Sequence, residues 1–394
     1  MLREEKEIEE IVALSKSKTD EARTSLIQKL TMIDAKQRSV LWIRTSGAEK
    51  VKNDADLTYE NLVHKAEDEN VIEEDVLIQI RKDINRSGIE DKKNIEVLER
   101  ILTAYAVRNR DVGYAQGMNF LVARCLNLNV FKEEDIFWIL AVLVERILKD
   151  YFNESLTGVM VDCKVCSELL KSYRPRLYDM LQKHDIEITG EVSSMLMTMF
   201  DNNLPSKSVC IVWDLIFLLS FERFAFAVLM MYFQNCEIFA PERLLQDDKE
   251  ESSKSLLESS SSSSLFEGHG AGFGLEMLLM QTMRKWRTLP EKDVIHNVIR
   301  PALCLTLPSA NAIEDMRRKL RSDVRMKLAL DRNPKLKILY SQAQTLRYEL
   351  NRQRMMLNRP LLSSSGTVKI LSLSLSLFLS LSLLIHSRHT HTHT

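Results

Sequence analysis

Two short segments carry side chains whose types and spacing could do chemistry. In residues 80–88, IRKDINRSG, the residues Ile80, Asp83 and Arg86 recur at three-residue steps, so Ile80 and Asp83 share a helix face. Gly88 then supplies the permissive backbone that ends the helix, which projects Arg86 from its end. In residues 112–120, VGYAQGMNF, Gly113 and Gly117 bracket Tyr114 and Gln116 in a sharp connection before a helix starting near Met118. Taken singly, Arg86 reads as a C-terminal cap complementing the helix dipole and Gln116 as a polar loop residue. Taken together, they suggest phosphoryl transfer to water. A guanidinium can neutralise charge spreading over γ-phosphate oxygens with a rigid fork of donors, while an amide can donate and accept to orient the attacking water. Neither group needs an unusual pKa, residues 112–120 contain no Ser, His or Cys nucleophile, and neither segment is a phosphate-cradling glycine loop.

The elements that must position these residues read as helices. The chain has 394 residues, 45% of them hydrophobic, with only 11 glycines and 8 prolines, which favours an all-α, multi-helix fold over a many-turned sheet. In residues 94–108, Ile95, Leu98, Leu102 and Tyr105 recur at helical steps on one buried face, with Asn94 able to cap the start. Residues 135–148 and 209–233 are apolar nearly all round, as central helices of a helical domain should be; Asp214, Glu222 and Arg223 mark the second as core and not a membrane span. Residues 202–205 break it from the preceding helix.

The composition bounds the other roles. Six cysteines, and a start that is charged from its third residue, predict no secretory leader and a reduced, intracellular protein. Cys163 and Cys166 form a lone CxxC without a partner pair, read as small apolar residues on one helix face. Residues 309–394 hold 15 Lys+Arg and 5 Asp+Glu, a net of +10 that leaves -11 on residues 1–308. The basic stretch 309–359 could meet an anionic membrane surface or pack as a solvated helix face, whereas its scarcity of aromatics, Tyr340 and Tyr348 alone, argues against nucleic acid.

The motifs, in this order, resemble the TBC-domain family of GTPase-activating proteins for Rab GTPases. Arg38 and Trp42 match R-x-x-x-W; Ile80, Asp83 and Arg86 match I-x-x-D-x-x-R; Tyr114 and Gln116 match Y-x-Q; and residues 204–214, LPSKSVCIVWD, match a later signature. The resemblance implies that Arg86 and Gln116 are arginine and glutamine fingers entering the GTPase in trans. Asp83 would hold the arginine loop, Tyr114 and Gly117 would shape the glutamine loop, and Ile80 and Trp42 would be core. It also implies a GTP-bound Rab as partner, a role in vesicle trafficking, and no cofactor of the chain's own, GTP and Mg²⁺ being held by the GTPase. The expected setting is cytoplasmic or peripheral on endomembranes. A non-catalytic Rab-binding adaptor or scaffold is the alternative. Met195 stands where the family usually has tryptophan, Arg110 where proline is frequent, and Leu219 and Ser220 where a glycine commonly follows the WD helix.

The expected organisation is a helical lead-in (1–30), the Rab-GAP TBC domain (31–245), a Ser/Gly-rich linker or insertion (246–274), basic C-terminal helices (275–359) with Pro334 as a break and a partial heptad over 336–350, and a low-complexity tail (360–394). In that tail the Ser-Leu alternation of 370–385 and the closing HTHTHT look like translated dinucleotide repeats. A tail anchor is the rival, although a 16-residue helix spans about 24 Å against a hydrocarbon core of about 30 Å. A 15-residue helix over 94–108 would separate the two loops by about 22 Å. The seven-residue connections 87–93 and 109–115 can each reach back about 20 Å, so the side chains are expected to converge on one groove.

Overall fold

The computed structural model describes residues 2–68, 71–239 and 271–333, and positions 335, 337, 338 and 341. Residues 246–270 of the expected linker 246–274, the tail 360–394 and most of the partial heptad lie outside these residues, while 271–274 belong not to a linker but to the first turn of the helix Ala271–Thr288. The chain divides into two compact units, residues 1–321 and 322–394, and the fold described here is that of the first. Among its described residues the regular elements are helices, with no strand, which places it in the all-α class.

The N-terminal helices are α1 (Leu2–Lys16), α2 (Asp20–Met32), α3 (Ala35–Ser46), α4 (Ala48–Asn53) and α5 (Tyr59–Ala66). Ile8 and Ile11 of α1 are buried, so the polar lead-in packs its weak apolar stripe onto α2, α3 and the later helix α13 (Ser206–Leu219). The helix α3 begins at a capping box, in which Asp34 accepts from the Gln37 N–H at 2.8 Å and Gln37 accepts from the Asp34 N–H at 3.0 Å. That local signal sets the direction of the following turns, which carry Arg38 and Trp42 on one face.

Next come α6 (Glu74–Ile84), α7 (Lys92–Arg108), α8 (Met118–Leu126) and α9 (Glu133–Val142), the last continued by one π turn over Leu143–Ile147. In α7, Leu98, Leu102 and Tyr105 are buried as their spacing predicts, whereas Ile95 in the first turn is only half-buried. Its cap is Asp91, not Asn94: the Asp91 carboxylate accepts from the Lys93 N–H at 3.3 Å, while the Asn94 amide lies inside the first turn and donates to Asn129 at 3.3 Å. Both residue types can cap, and the carboxylate three positions earlier takes the role. The π turn was not visible in an apolar pattern that reads alike at either helical pitch. It brings Glu145 to the end of α7, where Arg108 donates to both its oxygens at 2.8 and 3.1 Å.

The remaining helices are α10 (Thr157–Tyr173), α11 (Pro175–Lys183), α12 (Thr189–Met197), α13, α14 (Phe221–Phe239), Ala271–Thr288, the short turns from Glu291 to Cys304, and Ala310–Arg332. Cys163 and Cys166 lie on α10, both buried, with burial holding the Cys163 thiol up at about 12. Met195 is fully buried on α12, so it fills a core position. The helix Ala310–Arg332 ends before Pro334, consistent with the steric limits on a pre-proline residue. Its Arg317 is not a free surface charge, because it donates to both oxygens of Asp162 at 2.7 and 2.8 Å and to Glu222 at 2.9 Å.

The apolar run 209–233, read from sequence as one central stretch, is two helices joined at Ser220. Ser220 has φ 108° and ψ 153°, a region that is essentially glycine's. This is where the resembled family commonly has glycine, so the turn persists without the residue that tolerates it. What holds it is the packing on both sides, since Val212, Trp213, Leu215, Phe224 and Phe226 are all buried. The Ser220 hydroxyl also accepts from the Arg223 N–H at 3.4 Å, at the start of α14.

Asp214 of α13 joins the two ends of this body. It is fully buried and accepts from Arg38 Nε at 3.0 Å and from Trp42 Nε1 at 2.6 Å, while Arg38 Nη2 donates to the Leu30 carbonyl at 2.7 Å. Trp42 lies 5.1 Å from Trp213 and 5.8 Å from Phe217, ring centre to ring centre, so the ion pair is roofed by aromatic surface. Burial pushes the Asp214 carboxyl up to about 6, against the pull of Arg38 and the Trp42 hydrogen bond.

Two outcomes test these constraints. Ser220→Gly relieves strain of roughly 1–3 kcal/mol and gives part of it back as chain entropy. The expected result is a variant about 1 kcal/mol more stable to urea. A destabilised variant would show that Ser220 is not strained. Arg38→Met leaves a buried carboxylate uncompensated and is expected to cost about 3–5 kcal/mol at pH 8. Because the folded carboxyl titrates above its ordinary value, protonation favours the fold, so stability is present at low pH and lost as pH rises through about 6. The deficit against the parent chain should therefore shrink at pH 5, and urea midpoints that show an equal deficit at both pH values would contradict this.

Candidate functional site

The helix α6 ends at Ile84, and its last turn is closed by hydrogen bonds from the Arg86 N–H to the Asp83 carbonyl and from the Ser87 N–H to the Ile84 carbonyl, each 3.0 Å. Gly88 follows at φ 71°. Ile80, Asp83 and Ile84 are buried by this helix against α7 and α8, which turns Arg86 outward. Its side chain is 63% exposed, and its nearest recorded acid is Asp83, 3.6 Å away. At that separation and exposure the pair is a weak tether.

The second loop is built on Asn109, which ends α7. Its carbonyl accepts from the Gly113 N–H at 2.7 Å and its side chain accepts from the Val112 N–H at 3.3 Å. The chain then turns again, with the Met118 N–H donating to the Ala115 carbonyl at 3.3 Å. In this turn Gln116 is the first corner residue and Gly117 the second. Gly117 has φ 112°, which the second corner of a type II turn requires and which side-chain-bearing residues resist. A Cβ there would also stand 3.4 Å from the Phe152 ring. The turn therefore displays Gln116, which is exposed and has no recorded hydrogen bond to its amide.

The two loops meet at Asp83. Its buried carboxylate accepts from the Gln79 amide at 2.9 Å and from the Tyr114 hydroxyl at 3.0 Å through one oxygen, while the other oxygen faces Arg86 without a hydrogen bond. Burial, together with the neighbouring carboxylate, pushes the Tyr114 phenol well above its ordinary range, so it stays protonated and can donate. Asn119, on the first turn of α8, donates to the Asp83 carbonyl at 3.1 Å and accepts from the Gly117 N–H at 3.2 Å. The connections on either side of α7 thus absorb its length. An exposed guanidinium and an exposed amide stand on turns that share one buried joint.

Arg38 and Trp42 do not join this cluster. They pair with Asp214, as described above. Sequence reasoning did not single out Gln79, Asn109 or Asn119. Gln79 carries a usable signal, since it lies four residues before Asp83 on the same helix face. Asn119 does not, because its partners come from a segment 36 residues away and from a glycine backbone.

The chain is similar to several known proteins. The model of the Rab-GTPase-TBC domain matches residues 35–239. The human small G protein signaling modulator 3 is 33% identical over 214 residues, covering 52% of this chain and 28% of the relative. Its Xenopus laevis homologue is 33% identical over 194 residues, covering 48% and 25%. The chain thus spans about a quarter of the length of these curated relatives. Among solved structures, the Chlamydomonas flagellar RabGAP TBC domain is 23% identical with a TM-score of 0.49, covering 73% of this chain and 84% of that one. The TBC domain of Skywalker/TBC1D24 from Drosophila melanogaster is 14% identical with a TM-score of 0.48, covering 76% and 91%. The matched residues 35–239 contain both displayed loops, their joint at Asp83 and the Arg38–Asp214 pair, and the chain belongs to the Rab-GTPase-TBC domain family.

Proposed function

We propose that this chain accelerates GTP hydrolysis by a Rab-family small GTPase in its GTP-bound form, with Arg86 and Gln116 entering the partner's site in trans. The observation that carries this reading is the pairing of an exposed arginine and an exposed glutamine on turns joined through one buried carboxylate. An arginine held only 3.6 Å from Asp83 can leave it for a phosphate oxygen at little cost. Once surrounded by the partner, its fork of donors meets the charge that develops in the transition state. Gln116 has both a donor and an acceptor available, as a group that orients water must. The nucleotide and Mg²⁺ belong to the GTPase in this scheme, and the chain holds no cofactor of its own.

Rab regulation implies work in vesicle trafficking from the cytoplasm or at the surface of endomembranes. No helix among the described residues is long and apolar enough to cross a membrane. The basic stretch from residue 309 to 359 is a candidate for contact with anionic lipid. Arg317 and Arg321 are excluded from that contact by their ion pairs with Asp162, Glu222 and Asp150.

Single-turnover hydrolysis by a panel of GTP-loaded Rabs tests the reading. At least one Rab should be accelerated, with Arg86→Ala losing about 10³-fold and Gln116→Ala about 10²-fold while Rab binding persists. A chain that binds a Rab and accelerates none would be an adaptor.

A further inference from the structure

Asn119 bridges the two turns with the two ends of one amide. Its donor end is on the Asp83 carbonyl, 3.1 Å away, and that carbonyl also accepts from the Arg86 N–H at 3.0 Å to close the turn that displays Arg86. Its acceptor end is on the Gly117 N–H, 3.2 Å away, inside the turn that displays Gln116. The side chain is 1% exposed, so water does not substitute for it, and it stands on the first turn of α8, held by the buried Met118, Leu121 and Val122. A buried amide with both ends engaged has one orientation that satisfies it. Each bond constrains a different loop, and neither loop contacts the other through Arg86 or Gln116 in any recorded hydrogen bond.

We infer that Asn119 is a positioning residue that sets the separation of Arg86 and Gln116, so that both reach one phosphate together. This rests on the function proposed above. It adds that the two side chains act as a unit whose geometry is supplied by a third residue that touches neither substrate nor partner. Misplacing a reacting group by about 1 Å can lower the rate by about 10²-fold, so the loss of this bridge should register in turnover without any change in the groups that do the chemistry.

The test is a double-mutant cycle on the Rab that the parent chain accelerates. Asn119→Ala should lower kcat by about 10–100-fold with KM for the GTP-loaded Rab little changed, since the exposed surface is intact. In the Arg86→Ala and the Gln116→Ala backgrounds, the same substitution should cost several-fold less than in the parent chain, because one of the two positioned groups is already gone. A purely structural role would scale all three activities by one factor, namely the folded fraction, and leave no coupling. Asn119→Ser, which keeps a small polar group but cannot span both turns, gives the same comparison if the alanine variant does not fold. Equal losses in all backgrounds, or no loss in the parent chain, would overturn the assignment of Asn119. Failure of the parent chain to accelerate any Rab would instead remove the underlying function, so the two failures are distinct.

Discussion

The site depends on one constraint, that the carboxylate of Asp83 is buried and must find donors. A charge taken out of water is costly unless hydrogen bonds replace its hydration. Gln79 supplies one from the same helix, and Tyr114 supplies the other from a loop beyond the full length of α7. Satisfying Asp83 therefore brings the second loop to the end of α6. Its remaining oxygen faces Arg86 across 3.6 Å. The result is a guanidinium oriented by a nearby charge yet left mostly in solvent.

Other arginines of this body show what a fully engaged one looks like. Arg100 with Glu133, Arg108 with Glu145, and Arg317 with Asp162 all make two-pronged pairs at hydrogen-bond distance. Arg38 gives one edge to Asp214 and another to a backbone carbonyl. These pairs tie helices that are distant in sequence and are held in place by partly or wholly buried acids. Arg86 differs from these four in both distance and exposure, 3.6 Å from its acid and 63% exposed. The distinction is invisible in the residue type and comes entirely from surroundings.

Backbone conformation makes the same point from the other side. Gly117 and Ser220 both take positive φ at the start of a helix. At Gly117 the residue type suits the demand, and the turn that displays Gln116 follows from it. At Ser220 the residue type resists the demand, and packing of α13 and α14 enforces it. One turn is written locally, while the other is imposed by the core.

Read alone, the chain dictates its helices, most of their ends, and the two places where a polar side chain leaves a helix end for solvent. The 3.6-residue period buries Leu98, Leu102 and Tyr105, and glycines 88, 113 and 117 mark the turns. These features depend on neighbours within a few residues, so they are legible in order. The family motifs extended that reading to Arg38, Trp42 and Asp83, but not to what those residues touch. The division of 209–233 at Ser220, the choice of Asp91 over Asn94 as a cap, the pairing of Arg38 with Asp214, and the bridge made by Asn119 were decided only by tertiary structure. Each depends on which distant group arrives to share a buried hydrogen bond or fill a packed space, and a linear pattern of apolar and polar positions holds no record of that choice.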